Sequence, residues 1–528
     1  MKRKFLIVRF SSLGDIILTT ACILNLKINF PDCHIVFLTK ECFRDLVATF
    51  GGVDEIVCLS EENGVLGYYQ LLNKLDDYHF DTVIDLHGNF RSWLAGKMVT
   101  ANRKIVYPKR RLERLDIVRK KQIPQSWPHT IDLYNKVVEP LGGKVYCRRP
   151  VIKTTRRKKI NSLVFDRSIS YVFFAPGAAH SNKQWGLDNF SEVALELHRR
   201  LNCRIIWSVL SPDMGQSRLE KQLPPEAFFE LVDYPVDELM EIISQSRLTV
   251  ANDSGLAHLS SAVGTPTLAV FGPTHPSLGF SPRGLFDRVI EVAEPCRPCS
   301  LHGKKPCYRD KRYCFTRIEP AMVLDAALKI LQSGINVHPA LFVDRDGTII
   351  VDKDYLSDPD KIEFEPGAIE ALKLAGDKGY KVVVISNQSG VARGLFGLDS
   401  VERVNTRFME MLSARGVEIN ALYYCPHYPE GKVSEFSFMC DCRKPAPGMV
   451  EEAAKALGID IRRSFVIGDT LKDYNLGRVL GVETFIVRTG YGQKTEQKLK
   501  IAGKNNKDFT FDNLLQAVKH IVRLPSYD

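Results

Sequence analysis

Three observations predict an α/β protein made of parallel, doubly wound sheets. Short apolar runs alternate with helical patterns along the chain. The first run ends in a strand-to-turn-to-helix signature, KFLIVRF, Ser-Ser-Leu-Gly-Asp and then DIILTTACILNLK. The chain has 528 residues, too many for one core and enough for about three or four domains. After the first strand, HIVFLT, EIVCL and TVIDLHG continue the alternation, and a second set begins near Tyr171 with YVFFAPGAA, RIIWSVL, RLTVAND and TLAVFG. Two Rossmann-like halves joined by a basic middle region would enclose a cleft.

A helical segment, PAMVLDAALKILQSG, leads to INVHP, where Gly334 and Pro339 punctuate a short linker. A third α/β unit starts at ALFVDRDGTII, with strands expected also at KVVVISN, ALYYC, SFVIGD and TFIVRTG and a closing helix at FDNLLQAVKHIVRL. The expected boundaries are 1–165 and 166–332 for the two halves, 333–339 for the linker and 340–528 for the third unit.

Composition is that of a globular protein, and no segment reaches the roughly 20 apolar residues of a membrane helix. Arg9 and Asp15 interrupt the apolar start, so it does not read as a signal peptide and a cytoplasmic protein is expected. The formal net charge of +10 is uneven: from Leu341 on there are 26 Lys and Arg against 27 Asp and Glu, a net of −1, leaving +11 for the rest. Much of the excess lies between Arg103 and Lys121 and between Arg148 and Lys159. Such runs are either solvated faces or a patch for anionic lipid, and no nucleic-acid motif accompanies them.

The thirteen cysteines are odd in number and form no secreted disulfide framework. In CPHYPEGKVSEFSFMCDCRK, Cys425, His427, Cys440 and Cys442 supply the three thiolates and one imidazole of a closed structural zinc site. A clamp there would hold Lys444, two residues beyond the last ligand. A looser cluster, Cys296, Cys299, Cys307 and Cys314, could hold a second metal, or be buried reduced thiols or a redox pair.

FVDRDGT places Asp344 and Asp346 at the carboxyl end of a strand, the ligand-binding edge of a doubly wound sheet. One carboxylate there can attack phosphorus, and the other can protonate the leaving oxygen and later activate water. Carboxylates beside a phosphate call for Mg²⁺, with Asp469 of VIGDTLKD as a further ligand. Ser386 and Asn387 can hydrogen-bond the phosphate, and Lys444 can offset its charge.

Together these pieces resemble the haloacid dehalogenase superfamily. DRDGTII, SNQSGVARG, CPHYPEG, CDCRKPAPGM and VIGDTLKDYNLG are similar to the D-glycero-D-manno-heptose-1,7-bisphosphate 7-phosphatases, from Pro339 to the end. The resemblance implies Asp344 as nucleophile, Asp346 as acid and base, Lys444 in support, and magnesium on Asp344, Asp346 and Asp469. It also implies a structural zinc and phosphate or substrate contacts from Thr348, Ser386, Asn387, Gln388, Arg393 and Arg443. The histidinol phosphatases share most of these motifs and are the alternative.

In the first half, Asp15 at a strand-to-helix turn is a candidate base for a hydroxyl and equally a candidate N-cap. Lys183 follows another strand, and Gly255 with the amides after it opens a helix where a pyrophosphate would sit, with His258 one turn on. RFSSLGD, DLHGNFRS, PGAAHSNKQW and NDSGLAHLSSAVGTPTLAVFGPTHP resemble glycosyltransferase family 9, the ADP-heptose:lipopolysaccharide heptosyltransferases, over roughly Met1 to Gln332. The resemblance implies a GT-B fold and inverting transfer that needs no cofactor. Asp15 would be the base, and Lys183, Asp253, Ser254, Gly255, Leu256 and His258 the donor side. Its CxxC cluster favours the branch that adds the second heptose.

The partners implied are ADP-heptose, a Kdo-lipid A acceptor and heptose 1,7-bisphosphate, with no nucleic acid. An anionic acceptor would also give the basic region a use and place the protein at the periphery of the inner membrane, Lys109, Arg110 and Arg111 meeting the lipid. The alternatives are another sugar donor and a first half that binds glycolipid without catalysis.

Overall fold

The computed structural model describes residues 2–60, 64–155, 159–160, 163–166, 168–209, 218–332, 337–502 and 509–524. Residues 333–336 of the expected linker, Gly334 among them, lie outside the described residues. So do Arg156, Arg157 and Lys158 of the second basic run and the side chain of Lys159. The chain divides into two compact units, Met1–Ser333 and Gly334–Asp528.

The first unit holds two parallel sheets. Strands β1 (Lys4–Val8), β2 (His34–Lys40), β3 (Glu55–Leu59), β4 (Phe80–Asp85) and β5 (Ala101–Val106) order as β3-β2-β1-β4-β5. A short antiparallel pair follows, β6 (Lys159–Ile160) and β7 (Leu163–Val164). The second sheet takes β8 (Tyr171–Ala175), β9 (Arg204–Val209), β10 (Phe228–Val232), β11 (Leu248–Asn252), β12 (Thr267–Val270) and β13 (Arg288–Ile290), ordered β10-β9-β8-β11-β12-β13. Strands such as YVFFA are buried along their whole length, because helices cover both faces of a parallel sheet.

The second unit repeats the plan with β14 (Ala340–Val343), β15 (Lys381–Asn387), β16 (Ala421–Cys425), β17 (Phe465–Gly468), β18 (Glu483–Val487) and β19 (Thr510–Phe511), ordered β16-β15-β14-β17-β18-β19. In each of the three parallel sheets the first strand is central and the connections leave it in opposite directions. A crevice therefore opens at the carboxyl ends of β1 and β4, of β8 and β11, and of β14 and β17. Among the described residues, no helix is long and apolar enough to cross a membrane.

Candidate active sites

In the first unit, the carboxyl edges of the two sheets border a cavity of about 620 Å³. Two glycines let its walls approach. A Cβ on Gly14 would lie 2.6 Å from Cδ2 of His258, and one on Gly255 would lie 2.7 Å from Cδ2 of Leu13. Helix Leu13–Leu18 of one half and helix Gly255–Ala262 of the other thus meet where neither can carry a side chain.

Asp15 is inside its helix rather than at the N-cap. Ser12 takes the cap in an extended conformation, and Asp15, three residues on, accepts from the Ser12 hydroxyl at 3.0 Å. Arg9 pairs with the same carboxylate oxygen at 2.7 Å. Burial pushes this carboxyl up, but the Arg9 guanidinium and the Ser12 hydrogen bonds more than reverse that, so it titrates below the ordinary aspartate range. It is a carboxylate at neutral pH.

Across the cavity Lys183 Nζ pairs with Asp253 Oδ2 at 2.6 Å, and Thr274 donates to that oxygen at 2.6 Å. Ser254 Oγ and His258 Nδ1 are buried with no hydrogen-bond partner. Buried polar atoms ordinarily have partners, so these two mark places for a ligand. Burial, opposed by Asp253 and Asp15, holds His258 below its ordinary range, which leaves a neutral imidazole. Asp15, Lys183, Asp253, Ser254, Gly255, Leu256 and His258 all line this one cavity.

Arg9, His87, Lys109, Arg111 and Arg114 also line it, and sequence reasoning missed them as site residues. Lys109 is a correction. It belongs to a run expected to face lipid, but its ammonium turns inward and donates to the carbonyls of His87 at 2.9 Å and Gly88 at 3.1 Å.

The second cysteine cluster is looser: its thiols are near enough for charge on one to act on the others, without closing into a ligand set. Cys296, Cys299, Cys307 and Cys314 are not among the groups of described residues whose donor atoms all lie within 4.8 Å of one another. Cys299 Sγ contacts the Cys296 carbonyl at 3.5 Å, Cys307 Sγ the Lys311 carbonyl at 3.7 Å, and Cys314 packs into the hydrophobic core.

In the second unit a cavity of about 450 Å³ opens at the carboxyl ends of β14, β15 and β17. Asp344 follows β14 and Asp469 follows β17, so neighbouring strands deliver both carboxylates. Lys444 is buried between Asp344 at 2.8 Å and Asp473 at 2.7 Å, and also donates to the Ile385 carbonyl at 3.0 Å.

Carboxylate oxygens of Asp344, Asp469 and Asp473 lie within 4.8 Å of one another, and Asp469 Oδ1 is buried without a partner. Burial pushes Asp344 up to about 7 despite Lys444, and burial with the charges of Asp344 and Asp473 pushes Asp469 up to about 8. A divalent cation is what such an acid cluster lacks, and hard oxygen donors suit Mg²⁺.

Asp346 lines the same cavity, but its side-chain oxygens are not part of this tight group. Arg345 pairs with it at 3.0 Å, Gln388 donates to it at 2.8 Å and Ser386 at 3.2 Å. The missed member is Asp473. It lies four residues beyond Asp469 in the helix Leu471–Leu480, and the acidic pair in GDTLKD was its signal.

Asn387 fixes the Lys444 backbone through both amide atoms, at 3.0 and 3.2 Å. Ser386, Asn387 and Gln388 line the cavity, whereas Thr348, Arg393 and Arg443 do not. Thr348 is fully buried, and the two arginines stack on Tyr428 at 4.1 and 5.1 Å.

Four donors meet in the preceding loop. Cys442 Sγ is 3.3 Å from Cys425 Sγ, from Cys440 Sγ and from His427 Nδ1, and Cys425 and Cys440 are 3.5 Å apart. A zinc tetrahedron with ordinary bonds has edges of about 3.7 Å. The set fits a zinc ion, and it leads directly into Arg443 and Lys444.

A family profile described as glycosyltransferase family 9 (heptosyltransferase) matches residues 68–307, and one described as HAD-hydrolase-like matches residues 441–517. A D-glycero-beta-D-manno-heptose-1,7-bisphosphate 7-phosphatase of Salmonella typhi is 44% identical over 153 residues, 29% of this chain and 81% of that protein. The enzyme of the same name from Pasteurella multocida is 38% identical over 188 residues, 35% of this chain and 98% of its own length. The crystal structure of a family 9 glycosyl transferase from Veillonella parvula has a TM-score of 0.51 at 19% identity. It covers 63% of this chain and 98% of its own, and it is a likeness of fold.

Proposed function

We infer the function from one premise: this chain belongs to the D-glycero-beta-D-manno-heptose-1,7-bisphosphate 7-phosphatase family through its second unit, and its first unit carries a glycosyltransferase family 9 domain. It is a bifunctional enzyme of lipopolysaccharide core synthesis. One unit hydrolyses heptose 1,7-bisphosphate to the 1-phosphate, and the other transfers heptose from ADP-heptose to the Kdo-lipid A core. The CxxC cluster favours the second heptose.

In the phosphatase, a carboxylate oxygen of Asp344 attacks phosphorus as the bond to the sugar oxygen breaks, and Asp346 protonates that oxygen. Asp346 then takes a proton from water, whose oxygen displaces Asp344 and releases phosphate. Gln388 and Ser386 hold Asp346 in place, and Lys444 offsets charge on the transferring group. Asp344, Asp469 and Asp473 would hold Mg²⁺, which supplies positive charge that lets an anionic phosphate approach. Cys425, His427, Cys440 and Cys442 would hold a structural zinc.

In the transferase, Asp15 takes the acceptor hydroxyl proton as the new bond forms at the heptose anomeric carbon and ADP leaves from the opposite face. Lys183, Ser254 and His258 meet the donor, with the amides that open helix Gly255–Ala262 on its pyrophosphate. The enzyme works in the cytoplasm at the periphery of the inner membrane. The two steps are not consecutive, because a nucleotide must first be coupled to the sugar 1-phosphate by another enzyme.

The observation that carries this reading is the meeting of Asp344, Lys444 and Asp469 at one crevice, in a unit so similar to named phosphatases. The test uses Asp344→Asn protein, silent as a phosphatase, with ADP-heptose and Kdo-lipid A cores bearing no heptose or one. Mass spectrometry is expected to find one heptose gained on the core that already bears one. No gain on either core would return the first unit to another sugar or to binding alone.

A further inference from the structure

The carboxyl edge of the first sheet carries an apolar rim that the mechanism does not use. Strands β1 to β5 are parallel, so the helices after β3, β4 and β5 all begin at the edge where Asp15, His87 and Lys109 face the cleft. Each begins with exposed apolar side chains. Helix Gly64–Asp76 presents Val65 and Leu66, 86% and 69% exposed. Helix Phe90–Met98 presents Phe90, 76% exposed, with Trp93, and helix Arg111–Lys120 presents Leu112, 81% exposed. Phe90 and Trp93 stack on each other at 5.5 Å in solvent, and the Lys97 ammonium lies 5.8 Å from the Trp93 ring. The first two helices are joined, Tyr68 donating to the Arg91 carbonyl at 2.7 Å.

Charge selects the occupant. Between His87 and Lys121 the sequence holds eleven Lys and Arg, of which Lys109 turns into the cleft and Arg114 is buried, against two acids, and both acids are paired within their own helix or its cap. A second copy of this chain would set like charges against each other, whereas interface cores are depleted of charge. Exposed aromatic and aliphatic side chains among cations match the interface of a bilayer with anionic headgroups. We propose that this rim is the surface on which the transferase unit docks to an anionic lipid bilayer, with the cleft opening beside the bilayer. The identity of the acceptor as a membrane glycolipid rests on the function inferred above; the rim itself does not.

The test uses the full chain and vesicles of phosphatidylcholine, alone or mixed with phosphatidylglycerol, containing no sugar acceptor. Sedimentation with the mixed vesicles is expected, weaker at high salt. The tryptophan emission should shift to the blue on binding, and Trp93→Phe should abolish that shift. Leu66→Ser with Phe90→Ser, both at exposed positions, should weaken vesicle binding by about tenfold or more. The same variant should still glycosylate a delipidated, water-soluble acceptor like the unaltered protein.

Failure to sediment with mixed vesicles, or binding indifferent to the double variant with no Trp93 signal, would overturn the proposal. A dimer broken by the variant with no vesicle binding would also overturn it, by assigning the rim to a second copy. If the unaltered protein does not glycosylate the soluble acceptor, the function fails while the vesicle result stands.

Discussion

Asp15 and Asp344 occupy corresponding places, each beyond the central strand of a parallel sheet at the point where strand order reverses. Their surroundings are opposite. Asp15 has Arg9 at 2.7 Å, and among the described residues no cluster of carboxylates includes it. Asp344 shares one buried ammonium with Asp473 and stands within reach of Asp469. On the function proposed above, the same edge of the same kind of sheet would serve a base that works without a metal and a nucleophile that works with one. What differs is the sign of the nearest neighbours, set by two or three side chains and not by the fold.

Removing divalent cations should break the two sites apart most sharply. With a strong chelator, phosphate release from heptose 1,7-bisphosphate is expected to fall by about a thousandfold or more and to return with added Mg²⁺. Heptose transfer in the same tube should continue at its former rate. Transfer that stops with the metal would erase the contrast.

Asp15→Asn comes next in size. It keeps the shape of the side chain and removes the base, so transfer should fall by about a hundredfold to ten-thousandfold while ADP-heptose still binds. Binding measured by calorimetry alongside product formation separates the roles. If transfer survives, Asp15 serves only to brace the helix start through Ser12.

The same contrast explains what could be read from the chain beforehand. Asp344 was legible because the apolar run ALFV ends immediately before it, and Asp469 because SFVIG does the same. Asp473 was harder to read, since beyond the acidic pair in GDTLKD it takes the pairing of β14 with β17 to bring it beside Asp344, where Lys444 joins the two. The meeting of Cys425, His427, Cys440 and Cys442 was legible from ligand types and short spacing, whereas the looser CxxC cluster brings its thiols near one another without so tight a group. Charge runs were the poorest guide. A sequence does not say which cation of Lys109, Arg110 and Arg111 turns inward, and hydrogen bonds to two backbone carbonyls decided it for Lys109. Arg9 first marked the end of an apolar run, and its use as the partner of Asp15 needed the fold.

Arg9 therefore supplies the finest test of the comparison. Its guanidinium is buried, donates to the Leu86 carbonyl at 2.6 Å and is the main opponent of the burial that would raise Asp15. A base must be ionised to work, so the rate is lost as pH falls through its pKa, and a depressed pKa keeps the acid limb of the profile at low pH. Arg9→Met removes the charge and keeps much of the volume. Asp15 should then titrate higher, and the acid limb of kcat/KM should move to higher pH. The plateau above that limb should change by less than about tenfold, because the base itself is intact. Arg9→Lys should hold the limb near its original place while altering the packing at least as much, which separates charge from shape. A limb that stays fixed in Arg9→Met would mean that Ser12 and the helix start suffice to keep Asp15 ionised. The difference between the two sites would then lie in the crowding of carboxylates around Asp344 and owe nothing to the cation beside Asp15.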